Sequence, residues 1–410
     1  MPTLQTLKGF RDFLPAEKRV RDAVAGKIRA TFERFGFDPL ETPTLEYAEL
    51  LLGKYGAEAD KLVYSFEDRG GRQVALRYDQ TVPTARVLAQ YQNELGKGFR
   101  RYQIQPVFRA DKPQKGRYRE FMQCDADIFG VTSALADAEI LAVYNAIYQD
   151  LGLSDLVIEL NDRETLVSTL SPFATSSVTV ASIIQSIDKL DKQTAAEVTT
   201  ELVGKGLSQT QASQALAAIK EAQPSANLQA IIKAGQSLGI KSENLRFNSS
   251  LARGLDYYTG MIFEGKIPGE SGSVGGGGRY DKLIESLGGP AIPAVGFGLG
   301  FDRSVEVLTS RNLIASSPTT RALMTIFSAE LTTQALELAA KLRAEGISTE
   351  LYPDPSDKLE KQFKYADKKN IPYALVVGEE EVKNNTITLK NLESREQSTL
   401  SLDEVIAQLR

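Results

Sequence analysis

Residues 17–36, EKRVRDAVAGKIRATFERFG, place apolar side chains at the three- and four-residue spacing of an amphipathic helix, and Gly36 closes it. The period then changes. FDPLETPTLEY is extended and broken by Pro39 and Pro43, and LVYSFED, GRQVALRYD and YQIQPVFRA alternate as strands do. Thr81 and Pro83 suit the start of a helix in DQTVPTARVLAQY. FMQCDADIFG is again a strand, and SALADAEILAVYNAIYQDLG is a helix that ends at Gly152. Long strands with helices between them predict an α+β domain built on a largely antiparallel sheet.

The pattern shifts near residue 165. Residues 170–236 are rich in Ala, Ser, Thr and Gln at helical period, and Ser208 with Gln211 has the form of a capping box. A small helical insertion is expected over 165–240. Strand character returns in LRFNSSLARGLDYYTGMIFEG. The glycines of VGGGGRYDKL (274–283) have two readings: a flexible surface loop, or a backbone laid flat against a ligand. AVGFGLGFDRSVEVL runs from strand or turn into helix. A polar linker, RNLIASSPTTR, closes a first domain expected over 1–318. Beyond it strands and helices alternate, which predicts a compact α/β domain over 322–410.

Composition narrows the chemistry. The net charge is −5, from 48 Lys and Arg against 53 Asp and Glu, which excludes a broadly basic nucleic-acid coat. Cys124 is alone, so no internal disulfide or Cys-rich metal spacing is expected. The N-terminus lacks the apolar core of a signal peptide and no run is long enough to span a bilayer, so a cytoplasmic location and no membrane partner are expected. Histidine is absent altogether. Catalysis must then proceed without an imidazole base or nucleophile, which favours electrostatic stabilisation and orientation.

Three segments carry candidate chemistry. Between Lys97 and Arg119 stand eight Lys or Arg and one acid, Asp111. The strand–turn–strand pattern there describes a hairpin with a long basic loop, FRADKPQKGRYREF, in which Phe108, Tyr118 and Phe121 interleave with Arg109, Arg117 and Arg119. Alone this is a solvated loop; arginines on a rigid strand can also fork onto phosphate or carboxylate. In RGLDYYTG, Arg253 has Asp256 as a ready ion-pair partner, and Tyr257 and Tyr258 suit a core with satisfied hydroxyls. In GFGLGFDR, glycines permit close approach by a flat ligand, with Arg303 opening a helix.

Taken jointly, these segments resemble the class II aminoacyl-tRNA synthetases, and within them the histidyl-tRNA synthetases, over nearly the whole chain. KGFRDFLP is similar to that family's N-terminal segment. FDPLETPTLEY resembles the class's first motif, a dimer-interface element centred here on Pro43. FRADKPQKGRYREF resembles the second motif and GFGLGFDR the third, while RGLDYYTG and GGGGRYD resemble the pair peculiar to the histidyl enzymes. The resemblance implies a class II antiparallel sheet flanked by helices, a helical insertion and a C-terminal anticodon-binding α/β domain. It implies activation of histidine with ATP and Mg2+, transfer to tRNA(His), and a homodimer. The alternative is a non-charging paralogue serving as a regulatory subunit in histidine biosynthesis.

The resemblance also implies roles. Arg109 holds the α-phosphate, Arg303 the γ-phosphate, and Arg253 lies between the α-phosphate and the amino-acid carboxylate. Phe121 and Arg117 complete the ATP site. Asp79, Thr81 and Gln123 receive the α-amino group, and Asp127 and Tyr258 grip the imidazole. Tyr257 and the glycines around Gly276 and Gly277 form walls. Gln114 and Lys115 meet the tRNA acceptor end. Lys361 and Lys364, which recur with Lys358 and Lys368 at helical spacing, face the tRNA from the last domain. Asp79 and Asp127 stand where bacterial relatives often carry Glu, which asks for a closer pocket wall.

Overall fold

The computed structural model describes residues 4–53, 60–114, 116–253 and 257–410, so Lys115 and Asp256 lie outside the described residues. The chain divides into two compact units, residues 1–14 with 20–315 and residues 15–19 with 316–410.

The first unit is built on an eight-stranded sheet in the order β1-β5-β6-β11-β10-β9-β7-β8. The strands are β1 (Asp38–Pro39), β5 (Arg100–Phe108), β6 (Glu120–Phe129), β7 (Val157–Asp162), β8 (Leu245–Phe247), β9 (Met261–Lys266), β10 (Gly275–Arg279) and β11 (Ala294–Gly300). Pairing is antiparallel except at the two edges, where β1 joins β5 and β8 joins β7 in parallel. A separate three-stranded sheet pairs β2 (Leu45–Tyr47), β4 (Gln73–Leu76) and β3 (Ser65–Glu67).

Side chains one position apart along a strand leave by opposite faces. One face of the large sheet is apolar: Cys124, Ala126 and Ile128 of β6, Val295, Phe297 and Leu299 of β11, and Phe263 of β9 pack in one core. Two long helices and the shorter helix Phe301–Ser310 cover that face. Pro15–Arg34 starts on a proline at its first turn and contributes Val24, Ile28 and Phe32. Ala134–Asp150, capped by Ser133, contributes Tyr144 and Tyr148.

The glycine run is a correction to the loop reading. Gly275–Arg279 is an interior strand, paired with β9 on one side and β11 on the other. Sequence patterning is silent here because glycine has no side chain to alternate. The basic stretch also divides. Arg100 and Arg101 belong to β5, where Arg100 pairs with Glu139 and Arg101 is fully buried beside Asp127. Part of the local charge excess is therefore neutralised inside the fold.

The helical segment lies between β7 and β8 and comprises Arg163–Leu170, Val180–Ile187, Ala195–Lys205, Gln209–Glu221 and Ala226–Ser237. Ser208 and Gln211 form the expected reciprocal cap.

In the second unit, β12 (Ala322–Met324), β13 (Thr349–Leu351) and β14 (Tyr373–Val376) run parallel. β15 (Ile387–Asn391) and β16 (Gln397–Leu400) complete the sheet antiparallel, in the order β13-β12-β14-β15-β16. The parallel pairs are linked through the helices Thr332–Ala344 and Leu359–Lys368, as crossovers require.

Candidate active site

Strand register assembles a polar site on the face opposite the core. Reading across β5, β6, β11, β10 and β9, one row runs Arg101, Asp127, Gly296, Gly278, Ile262. The next row runs Gln103, Asp125, Gly298, Gly276, Glu264. Four glycines thus form a bare patch of backbone between carboxylates of β6 and Glu264 of β9. The space above each is taken by a polar side chain, and at three of them also by a backbone carbonyl of a neighbouring strand. A Cβ on Gly276 would strike the Arg253 guanidinium, one on Gly278 would lie 2.9 Å from the Tyr258 ring, and one on Gly296 would strike the Asp127 carboxylate. A Cβ on Gly298 would sit 3.1 Å from Asp125 and 3.3 Å from the Gln123 amide. Glycine is required by what lies on top of it.

Arg253 has φ 47°, a left-handed conformation that is uncommon for a side-chain-bearing residue and costs on the order of 1–3 kcal/mol. Its Nη1 donates to the Phe263 carbonyl at 2.7 Å, and its guanidinium lies 5.8 Å from the Tyr258 ring centre. Burial works against its charge, but Tyr258 and Glu264 outweigh it and hold its pKa above the ordinary value. Arg253 and Glu264 line an open cavity of about 720 Å3 with Arg117, Asp188, Asn248 and Lys266.

Two further arginines stand at the same end of the sheet. Arg109 follows the last residue of β5; it donates to the Tyr78 carbonyl at 3.1 Å, and its guanidinium lies 4.4 Å from the Tyr78 ring and 5.2 Å from the Phe121 ring. Arg303 sits in the first turn of the helix Phe301–Ser310, which follows β11 directly, and donates to the Ser273 carbonyl at 2.9 Å. A Cβ on Gly116, in the hairpin loop, would lie 3.9 Å from the Arg303 guanidinium, so the loop folds toward it. The neighbouring Asp302 is consumed structurally: Arg11 and Arg21 bind it at 2.6 and 2.7 Å.

Beside the arginines is an aromatic and acidic cluster. Tyr257 and Tyr258 have ring centres 4.7 Å apart, and Tyr280 meets Tyr257 edge-on at 5.9 Å. The Tyr280 hydroxyl donates to Asp127, whose other oxygen lies 2.6 Å from the Arg101 guanidinium. Burial raises the pKa of Asp127, opposed by Arg101 and Tyr280. Burial also pushes Asp125 up to about 8, with Asp127 and Asp79 adding to the effect and Arg101 opposing it. Asp79 accepts from the Val82 backbone N–H at 3.1 Å, where it starts the helix Thr81–Tyr91. That helix is tied to β6 by Gln80, which donates to the Gln123 carbonyl at 3.1 Å and places Thr81 near the site.

Gln114 and Arg117 are exposed, in a turn closed by their own backbone hydrogen bonds, and Arg117 lines the cavity of Arg253. Lys361 and Lys364 lie in the second unit on the helix Leu359–Lys368 and pair with Asp357 and Glu360. Sequence reading missed Asp125, Arg101, Tyr280 and Glu264. The alternation of Gln123, Asp125 and Asp127 could have shown that Asp125 shares their face; Arg101 and Glu264 needed strand register.

An antiparallel sheet with arginines at its strand ends, a glycine floor and a basic hairpin is the catalytic core of the class II aminoacyl-tRNA synthetases. The family described as histidyl-tRNA synthetase matches residues 9–303, and an anticodon binding domain matches residues 318–410. The chain is 40% identical over 447 aligned positions to the histidine–tRNA ligase of Cytophaga hutchinsonii, covering 98% of each. It is 37% identical to that of Rhodopirellula baltica, covering 96% of this chain and 94% of the relative. The crystal structure of histidyl-tRNA synthetase from Nostoc sp. PCC 7120 superposes with a TM-score of 0.88 at 28% identity, covering 100% of this chain and 99% of that one. A structure from Bacillus halodurans, titled an ATP phosphoribosyltransferase regulatory subunit/histidyl-tRNA synthetase, gives 0.75 at 25% identity, covering 89% of this chain and 97% of that one. The chain belongs to the histidyl-tRNA synthetase family.

Proposed function

We propose that this protein activates histidine with ATP to histidyl-adenylate and transfers the histidyl group to the 3′ end of tRNA(His). The observation that carries this reading is the glycine floor, over which Arg253 stands beside Tyr258 and Asp127. The histidine carboxylate attacks the α-phosphorus of ATP. A carboxylate–phosphorus bond forms, the bond to the bridging oxygen breaks, and pyrophosphate leaves. Both reactants are anionic, so their repulsion must be screened and the charge developing on the phosphorus stabilised.

Arg253 does this between carboxylate and α-phosphate, Arg109 on the α-phosphate and Arg303 on the γ-phosphate. Phe121 and Arg117 hold the rest of the nucleotide. In-line positioning supplies about 7–11 kcal/mol of the barrier. No protein base is needed, which suits a chain without histidine. Mg2+ enters with the nucleotide as its companion ion. Glu264 and Asp188, oxygen donors lining the cavity of Arg253, suit a hard cation held mainly by phosphate.

Asp79, Thr81 and Gln123 receive the α-amino group. The imidazole donates one N–H to Asp127 and meets the Tyr258 hydroxyl at its other nitrogen, against Tyr257 and the backbone of Gly276 and Gly277. Catalysis is assigned to a core over 1–318 with its insertion over 165–240, and anticodon binding to 322–410. Gln114, Lys115, Lys361 and Lys364 contact tRNA. A cytoplasmic homodimer is part of the reading: Leu45, Tyr47 and Phe66 of the three-stranded sheet are exposed beside the Pro43 segment. Arg109, Arg253 and Arg303 are all present, which favours a charging enzyme over a regulatory subunit. The test is ATP–pyrophosphate exchange with a panel of amino acids, followed by tRNA charging. Exchange with histidine alone is expected; exchange that ignores histidine refutes the reading.

A further inference from the structure

Two arginines of this sheet region are almost completely buried, and they are bound in different ways. Arg77, 1% exposed, donates to backbone carbonyls of Pro106 and Thr42 at 2.7 Å each, as a structural arginine does. Arg101, 0% exposed, makes a 2.6 Å ion pair with Asp127, and none of its three side-chain nitrogens has a well-aligned hydrogen-bond partner among the described residues. The charge of Arg101 is engaged rather than its fork. A guanidinium held this way acts on the carboxylate in front of it.

We infer that Arg101 is a positioning residue that cancels the charge of Asp127, so that the ring pocket is neutral and selects the imidazole of histidine over the imidazolium. This rests on the histidine-activating reading above. Facing Asp127, β5 presents Arg101, and β11 presents Gly296, which brings no charge. The segment after β10 presents the Tyr280 hydroxyl, with Tyr257 behind it. Its own strand carries Asp125, and Asp79 acts from the start of the helix Thr81–Tyr91. Asp125, pushed up to about 8 by burial, is mostly protonated at neutral pH. Asp79 is matched by the substrate's ammonium, and Arg109 by the nucleotide.

Asp127 and Arg101 remain, and they sum to zero. A neutral imidazole can give its N–H to the fixed Asp127 oxygens and accept from Tyr258. An imidazolium would bring an unmatched positive charge within reach of the Arg101 guanidinium, in a site too buried for water to screen it.

The test is the KM for histidine in ATP–pyrophosphate exchange between pH 7.5 and 5.5, run beside a triazole analogue of histidine whose ring stays neutral. With a ring pKa of about 6.5, the neutral fraction of histidine falls roughly tenfold over that range, so its KM rises roughly tenfold while that of the analogue stays flat. In Arg101→Leu nothing offsets Asp127, so its carboxylate is held charged by an imidazolium seated against it rather than by the protein. The variant's KM for histidine is raised at pH 7.5 and falls toward acid pH, the reverse of the unmodified protein. Arg101→Lys, which keeps the charge, keeps the original sign.

A histidine KM that is flat or falls toward acid in the unmodified protein overturns the inference. So does a parallel rise for the analogue, since a protein group would then be titrating. An Arg101→Leu profile of unchanged sign does the same. If that variant does not fold, the comparison of the two substrates on the unmodified protein decides alone. Absence of histidine-dependent exchange at pH 7.5 is a different result, and removes the function itself.

Discussion

On one face of the eight-stranded sheet, Tyr144 meets Phe263 and Phe297 edge-on, each with ring centres 5.1 Å apart, in a core sealed from water. On the other face, residues one position away along the same strands are Gln123, Asp125, Asp127, Glu264 and four glycines. On the apolar face the strands themselves supply large side chains, and helices close over them. The polar face is deliberately thin at its centre, and the groups above it come from elsewhere: Arg253 and Tyr258 from the segment before β9, Tyr280 from the turn after β10. Packing of the first face fixes the register, and register fixes which polar groups meet on the second. The site is thus built with core precision, although few of its residues belong to the core.

This contrast can be broken most sharply at Asp127. Asp127→Ala removes the proposed ring acceptor and strands Arg101, and kcat/KM for histidine should fall by about 10⁴ while the KM for ATP holds. Steady-state exchange kinetics read both values, and an unchanged histidine KM would refute the assignment. Arg253→Ala should lower the activation rate by about 10²–10³, the scale of one lost transition-state donor. Arg253→Lys should recover part of that, because a point charge cannot fork. Wild-type single-turnover rates in the alanine variant would contradict this role.

Two glycines sharpen the comparison, since they address opposite faces. A Cβ at Gly276 meets Arg253, whereas one at Gly265 meets the buried Tyr144 ring. Gly276→Ala should cost about 10² in rate through displacement of the guanidinium, with some stability lost as well because the same Cβ strikes the Phe263 carbonyl. Gly265→Ala should instead cost about 1–3 kcal/mol of stability by overpacking, with kcat retained. Thermal denaturation and exchange kinetics on both variants separate these outcomes, and equal activity losses would erase the distinction between faces.

Asp125 adds a smaller, pH-dependent effect. Its folded pKa, about 8, lies above the ordinary carboxyl value, so the folded state holds a proton that the unfolded chain has released. The stabilising contribution is complete at acid pH, below the unfolded value, and is lost as pH rises to about 8, with a slope of at most about 1.4 kcal/mol per unit. Asp125→Asn should flatten that decline in chemical denaturation; an identical slope would place the titration elsewhere. The smallest effect belongs to the second unit. Lys361→Ala with Lys364→Ala should lower the salt slope of tRNA binding by about 1–2, and leave pyrophosphate exchange untouched. A slope left intact would return these lysines to their pairs with Asp357 and Glu360.

Much of this was legible along the chain. The helix Pro15–Arg34, the long strands β5 and β6, the capped insertion helices and the alternating α/β unit follow from period, caps and breakers, because those are local properties of backbone and side chain. The motifs around Arg109, Arg253 and Arg303 were legible because their residue types are unusual together. Glycines in β10 were not, since a strand without side chains has no period. Nor was the division of the basic stretch, in which Arg101 turns inward while Arg117 stays exposed. Neighbouring arginines look alike in a sequence, and burial is decided by what pairs across the sheet. The sequence by itself determined which elements form and which chemistry is on hand. Tertiary structure decided that Arg101 faces Asp127, that Asp125 joins them, and that Arg253 lies over bare backbone, because each depends on register between strands far apart in the chain.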